Sequence, residues 1–244
     1  MTLSADDRLG NIVISTWPYR QDDRFRSVMQ ASGIDVISMP VIEIRFLPFD
    51  MPRDVESYDW LVFTSKNGVH SFFHQMGLVR NPRIAVIGES TAKALKSENL
   101  EPFFTGGGKS GSEFAEELVK VIGKGQNVLV VLGNLAPDTL QNILETDNRI
   151  DRVNVYETRA AQHVDPHVPE LIRNDDYGLI AVSSPSAVKR LHQLVEEVAG
   201  DLRIVSIGAT TSAAARSLGM EPVATSPVQT YEGLAETVLE NLNS

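Results

Sequence analysis

Four short stretches of this 244-residue chain bring hydroxyl groups to the end of an apolar run. They are Thr64-Ser65-Lys66-Asn67, Gly88-Glu89-Ser90-Thr91, Ser183-Ser184-Pro185-Ser186 and Gly208-Ala209-Thr210-Thr211. Each follows a short strand-like segment and opens a helix-like one. A helix start carries unpaired backbone N–H groups and the positive end of the helix dipole, so it attracts anions. Ser, Thr and Asn are also the ordinary caps of helices. One such turn would signify no more than capping, but four in one chain suit an anionic ligand held by N–H groups and hydroxyls. Thr64, Ser65, Asn67, Gly88, Thr91, Ser184, Ser186, Gly208 and Thr211 are the binding candidates this pattern supplies.

The best candidate for proton transfer is Tyr156, in a β-rich stretch beside Glu157 and Arg159. A tyrosine in a strand commonly packs. A phenol facing a cleft between two domains could instead donate a proton or a hydrogen bond. Other chemistries find less support. His70 and His74 share a helical spacing but enclose no carboxylate base, and His163 and His167 lie in a loop with prolines, so no metal site is expected. Gly106-Gly107-Gly108-Lys109-Ser110 resembles the tail of a phosphate loop, yet Phe103 stands where that spacing needs glycine. There is no nucleophile elbow and no dinucleotide fingerprint.

The elements behind these turns repeat. Arg83-Ile-Ala-Val-Ile-Gly88 returns 120 residues later as Arg203-Ile-Val-Ser-Ile-Gly208, and Thr91 returns as Thr211. Tyr58 to Ser65 matches Tyr177 to Ser184, and Asn11-Ile-Val-Ile matches Asn127-Val-Leu-Val. Two copies make a duplicated domain and not a solenoid. Strand-like runs are expected at residues 11–16, 60–64, 83–87, 126–132, 152–158, 179–183 and 203–207. Helix-like runs between them include 187–199, and Asp22 or Asp23 can cap one that ends near Ser32. Such alternation implies parallel sheets covered on both faces, with ligands at the carboxyl ends of the strands. All four hydroxyl turns fall at those ends, so a ligand held between two similar halves is expected. The repeat by itself divides the chain near Lys124.

Composition narrows the class. Net charge is −10 and hydrophobic residues make up 42%, which argues against a nucleic-acid partner. The chain has no cysteine, so disulfides, thiolate metal sites and a cysteine nucleophile are excluded. Met1 to Gly10 is polar, and no signal peptide is expected. No apolar run reaches membrane-spanning length. A cytoplasmic, monomeric protein without membrane or nucleic-acid partners is the expectation.

Taken in order, Pro40-Val-Ile-Glu43, Val62-Phe-Thr-Ser65 with Asn67-Gly-Val, Ala85-Val-Ile-Gly88, Gly133-Asn134, Val155-Tyr156-Glu-Thr158, Ser183-Ser-Pro-Ser186, Ser206-Ile-Gly208 and Thr230-Tyr231-Glu-Gly resemble the uroporphyrinogen-III synthase family over nearly the whole chain. The resemblance implies an α/β fold of two flavodoxin-like domains with parallel sheets. One would be discontinuous, residues 1–41 with 161–244, the other residues 48–152, and a two-stranded ladder of about 42–47 and 153–160 would join them. Two narrow linkers imply domain motion. It also implies a cyclising lyase that closes hydroxymethylbilane with inversion of the last ring and loss of water, without a cofactor. Asn134 joins the binding residues on this ground, and Tyr156 becomes the proton donor. Trp17 and Leu132 depart from the family, since many bacterial members carry arginine at both places. A non-catalytic receptor for an anionic small molecule is the alternative, and a nucleotide-sugar transferase is disfavoured by size and by the missing loop.

Overall fold

The computed structural model describes residues 12–18, 23–107 and 111–242. Asn11, Asp22 and the Gly108 to Ser110 part of the glycine-rich stretch lie outside them. The first elements are β1 (Ile12–Ser15), α1 (Arg24–Ala31), β2 (Asp35–Ser38), β3 (Ile42–Phe46), β4 (Trp60–Phe63), α2 (Lys66–Met76), β5 (Arg83–Ile87) and α3 (Gly88–Ser97). Then come β6 (Phe104–Gly106), α4 (Gly111–Ile122), β7 (Asn127–Gly133), α5 (Thr139–Leu144) and β8 (Arg149–Ala160). The last are α6 (His167–Arg173), β9 (Leu179–Val182), α7 (Pro185–Leu194), β10 (Ile204–Ser206), α8 (Ala209–Arg216), β11 (Ala224–Thr225) and α9 (Tyr231–Asn241).

These elements form two compact units. The described residues up to Glu43 with those from Arg159 onward make one, and Ile44–Thr158 makes the other. Lys124 therefore lies inside the second unit. The first unit's sheet has the order β11-β10-β9-β1-β2, all parallel. The second has β3-β8-β7-β4-β5-β6, with β8, β7, β4, β5 and β6 parallel. The repeat equates β7, β8, β4 and β5 with β1, β2, β9 and β10. Both sheets then have the same spatial order, although the chain enters it at a different strand. That is the consequence of a duplication in which the first copy's opening strands sit in one unit and its remainder in the other.

Strand alternation explains the layers. In β4, Leu61 and Phe63 face a core with Val69, Phe72 and Phe73 of α2 and Leu95 of α3. Trp60 and Val62 face the opposite core with Phe114, Leu118 and Ile122 of α4 and Leu140 and Leu144 of α5. In the first unit Ile14, Ile180 and Val182 pack with Val188 and Leu191 of α7, while Val13, Leu179 and Ala181 pack with Phe25 and Met29 of α1 and Leu234 and Val238 of α9. Each side chain of this size, fully buried, contributes roughly 1.5–3 kcal/mol.

Two elements differ from the sequence expectation. The helix expected over 187–199 ends at Leu194, and the chain continues as a 3₁₀ segment, Glu196–Asp201. At Val195 the backbone leaves the helical region, with φ −138°, as its buried side chain packs in the core with Leu191 and Leu202. Arg173 of α6 braces the turn by donating to the Leu194 carbonyl at 2.9 Å and pairing with Glu197. Strand β8 is longer than 152–158. Its residues from Arg149 to Tyr156 pair with β7, and β3 lies on its other side.

The N-terminal ends of the strands are stapled. Tyr58 donates to Asp151 at 2.8 Å, Arg53 bonds the same carboxylate at 2.7 Å, and the Arg53 guanidinium stacks on the Tyr58 ring. Burial and the bond to Asp151 push the Tyr58 phenol up to about 12. Burial alone would raise Asp151, but the bonds from Tyr58 and Arg53 hold it below the usual carboxylate range. In the first unit the repeat partner Tyr177 accepts from the Arg203 backbone N–H at 3.2 Å and lies under the Arg203 guanidinium.

Candidate functional site

In the second unit the candidate residues converge at the carboxyl ends of β4, β5, β7 and β8. Thr64, Ser65, Asn67, Gly88 and Thr91 line one cavity of about 350 Å³, together with Lys66, Ile87 and Ser90. Its walls are the first turns of α2 and α3. Ser65 caps α2, its Oγ accepting from the Asn67 N–H at 3.1 Å. That satisfies one lone pair and leaves the hydroxyl proton free to turn outward. At α3 no side chain caps the helix. Gly88 has φ 72°, a left-handed conformation that glycine adopts without penalty. The turn therefore presents bare N–H groups to the cavity, and Thr91 adds its hydroxyl from a largely buried side chain.

Tyr156 stands around the same first turn of α2. Its ring lies on the backbone of Gly133, where an added Cβ would come 2.6 Å from Cε2 and 2.8 Å from the hydroxyl oxygen. An added Cβ on Gly68 would meet the other ring edge at 3.8 Å. The ring is half-buried and packs against the core beneath α2. Among the described residues its hydroxyl has no hydrogen-bond partner. A phenol held by its ring, with its O–H unspent, can give a proton to a bound group. The Asn134 amide is occupied differently: Oδ1 accepts from the Thr158 N–H at 2.9 Å, and Nδ2 reaches the Thr158 carbonyl at 3.4 Å.

A family model described as Uroporphyrinogen-III synthase HemD matches residues 23–236. The chain belongs to the uroporphyrinogen-III synthase family. As a member it is an enzyme of tetrapyrrole biosynthesis. A Methanocaldococcus jannaschii protein that carries that synthase name provisionally is 28% identical, over 93% of this chain and 97% of its own length. A porphyrin biosynthesis protein HemD of Ruminiclostridium josui is 25% identical over 95% of this chain, which spans 48% of that longer protein. The solved uroporphyrinogen-III synthetase of Helicobacter pylori superposes with a TM-score of 0.67 at 18% identity, over 94% of this chain and 99% of that one, and so shares its α/β fold with parallel sheets.

Within this synthase-family fold, the first unit treats its equivalent turns differently. Ser184 caps α7, accepting from the Ala187 N–H at 3.2 Å, and Ser186 is half-buried in the same turn. Gly208 is extended, with φ 177°, and its Cα side is covered by Gln229, whose amide carbon and Nε2 would lie 2.9 and 2.8 Å from an added Cβ. Thr211 is buried, and its neighbour Ser212 bonds Ser206 and Thr225. The two departures from the family pattern are packed residues. Trp17 donates to Asp23 at 3.1 Å and sits 5.0 Å from the Phe25 ring and 4.9 Å from the Tyr231 ring. Leu132 is core, packed with Phe114 and Leu140.

The remaining motifs carry structure. Gly107 N–H donates to Glu117 at 3.0 Å, so a carboxylate of the chain already occupies the glycine turn. Gly106 makes room for the Phe114 ring. His70 pairs with Glu98 at 3.2 Å, and no metal-binding cluster occurs among the described residues. No helix among them is long and apolar enough to cross a membrane. Sequence reasoning missed Ser71 and Gln229, and it gave Gly68 no role beyond its place in the Asn67-Gly-Val motif. A serine in the apolar face Val69-His70-Ser71-Phe72-Phe73 was the available signal for Ser71.

Proposed function

We propose that this protein is a uroporphyrinogen-III synthase that closes hydroxymethylbilane to uroporphyrinogen III, with inversion of ring D and loss of water. The observation that carries the reading is the Tyr156 phenol, without a hydrogen-bond partner among the described residues and fixed over Gly133, against the first turn of α2 whose residues line a cavity with hydroxyls and backbone N–H groups. The substrate's acetates and propionates accept from the N–H groups and hydroxyls at Thr64, Ser65, Asn67, Gly88 and Thr91. Ser184, Ser186, Gly208 and Thr211 serve in the same way on the first unit. Helix N-termini supply partial positive charge, which suits a carboxylate-rich ligand on a chain of net charge −10.

The substrate's hydroxyl leaves from a methylene on an electron-rich pyrrole. Tyr156 gives its proton to that oxygen as the C–O bond breaks and water departs. The substituted carbon of ring D attacks the resulting cation to form the spiro centre. Its older bond to the neighbouring methylene then breaks, which leaves a new cation on that methylene, and the free α carbon of ring D closes on it with the ring inverted. The proton released as aromaticity returns restores the phenol. The protein's larger task is to hold the chain folded so that the spiro intermediate forms before direct closure. No cofactor takes part.

The proposal extends to architecture. Two flavodoxin-like domains, 1–41 with 161–244 and 48–152, are joined by a two-stranded ladder of about 42–47 and 153–160. The matched strand orders support this. So do the bonds from Leu47 N–H to Val155 O and from Ala161 N–H to Val41 O, in which one strand advances as the other recedes. The protein acts as a cytoplasmic monomer.

The test supplies freshly made hydroxymethylbilane and resolves the type I and type III isomers. Tyr156→Phe keeps the ring and removes the O–H. General acid assistance is worth about 10²–10⁴-fold where it is essential; here the pyrrole already activates the leaving group, so a loss of about tenfold in type III formation is expected, with the thermal midpoint unchanged. A variant that matches the parent in rate and isomer would make Tyr156 a packing residue. A parent that yields only the type I isomer would refute the synthase reading and favour a receptor.

A further inference from the structure

We infer that a β-bulge, the bare backbone of Gly133 and the side chain of Asn134 form one device that aims the Tyr156 phenol, with Gly133 and Asn134 as positioning residues for the reaction. The inference rests on the proton-donor reading of Tyr156.

Alternation in β7 and β8 places Tyr156 on the wrong face. In β7, Leu129 and Val131 face the core under α2, and Val128, Val130 and Leu132 face the core under α4. In β8, Val153 and Val155 belong with the first and Ile150 with the second. Counting by twos from Ile150, Tyr156 should point toward α4. It packs instead against the core under α2. The register shows why. Leu132 pairs with Asn154, but Gly133 pairs with Tyr156, so β8 spends one extra residue, Val155, against β7. A bulge of this kind bends a strand and re-aims the side chains beyond it.

The device has three further parts. By the same alternation a side chain at 133 would point toward α2, and the Tyr156 ring fills that volume. A residue inserted by a bulge loses its ladder bond, and a buried carbonyl left unpaired is costly. The Val155 carbonyl is met by the buried Ser71 hydroxyl of α2 and by the Leu47 N–H at 2.8 Å. Beyond the bulge, Asn134 resumes the ladder. Its N–H donates to the Tyr156 carbonyl at 3.1 Å, and its amide brackets both backbone groups of Thr158. Tyr156 is thereby fixed on both sides.

The experiment places Asn134→Ala, Asn134→Asp and Gly133→Ala in the parent and in Tyr156→Phe, and measures kcat and KM for type III formation. It also places 3-fluorotyrosine at position 156 and records its ¹⁹F spectrum. In the parent, Asn134→Ala and Gly133→Ala lower kcat by roughly ten- to a hundredfold, the scale of a small misplacement of a reacting group, and leave KM little changed. Asn134→Asp keeps the acceptor for Thr158 N–H and recovers most of the rate. In Tyr156→Phe neither substitution has a further effect on kcat. Both alanine variants shift or broaden the ¹⁹F line. Asn134 is exposed, so its variants are expected to fold even where Gly133→Ala does not. Equal losses in both backgrounds, or an unmoved ¹⁹F line, overturn the inference. If Tyr156→Phe is inert, the proton-donor reading falls by itself, and the ¹⁹F spectra still decide whether Gly133 and Asn134 set the ring.

Discussion

Gly88 and Gly208 occupy equivalent positions in the repeat and are glycine for different reasons. Gly88 needs its left-handed φ of 72°, whereas Gly208 at 177° does not. Alanine at 88 is therefore expected to cost about 1–2 kcal/mol. Its methyl would also stand beside the cavity that Gly88 lines. Alanine at 208 meets first the exposed, flexible Gln229 side chain, from Cγ to Nε2, and not backbone, so once that side chain rotates away its cost is expected to stay below about 0.5 kcal/mol. Chemical denaturation of the two variants checks the contrast, and equal costs would mean that Gly208 is held as tightly as Gly88. Trp17 shows the same principle of context. Its indole completes an aromatic cluster and bonds Asp23, which also caps α1 by accepting from the Arg26 N–H at 3.3 Å.

At the scale of elements, the two ends of the second sheet do different work. The carboxyl ends carry the cavity and Tyr156. The amino ends carry the staple of Tyr58, Asp151 and Arg53, which ties β8 to the segment leading into β4. The Tyr58 phenol is raised from 10.0 to about 12. Because the folded value lies above the unfolded one, the contribution to stability is complete below pH 10 and is lost as pH rises toward 12. Tyr58→Phe has no proton to lose there. It is expected to be less stable than the parent at neutral pH, through the lost bond to Asp151, and to lose less stability between pH 10 and 12. Parallel slopes for the two proteins across that window, in denaturant titrations at stepped pH, would show that Tyr58 does not set the alkaline limit. On the acid side Asp151 is depressed, so its contribution is present above the ordinary carboxylate range and fades as pH falls through its lowered value.

At the scale of the whole molecule, each unit owns two complete cores, one on each face of its sheet. The second unit, Ile44–Thr158, is continuous in sequence, while the first is assembled from two separated segments. A domain with its own covered sheet has what it needs to fold alone. An isolated chain of residues 44–158 is expected to melt in one cooperative transition with native-like near-ultraviolet dichroism. A fragment that stays molten would show that the second unit depends on the rest of the chain.

What the sequence determined by itself was periodic and local. Apolar runs of four or five residues ending in Gly, Ser or Thr could only be buried parallel strands feeding helices, and the duplication named both sets of turns. The hydroxyls of Ser65 and Ser184 were legible because capping is a short-range interaction. So was the family, through an ordered series of short motifs. What tertiary structure decided depends on partners distant along the chain. The end of α7 at Leu194 goes with the burial of Val195 and the brace from Arg173, and the filling of the Gly208 turn with Gln229. The aim of Tyr156 is set by a one-residue register shift between β7 and β8, because strand pairing is a relation between two strands and strict alternation along β8 alone gives the opposite face.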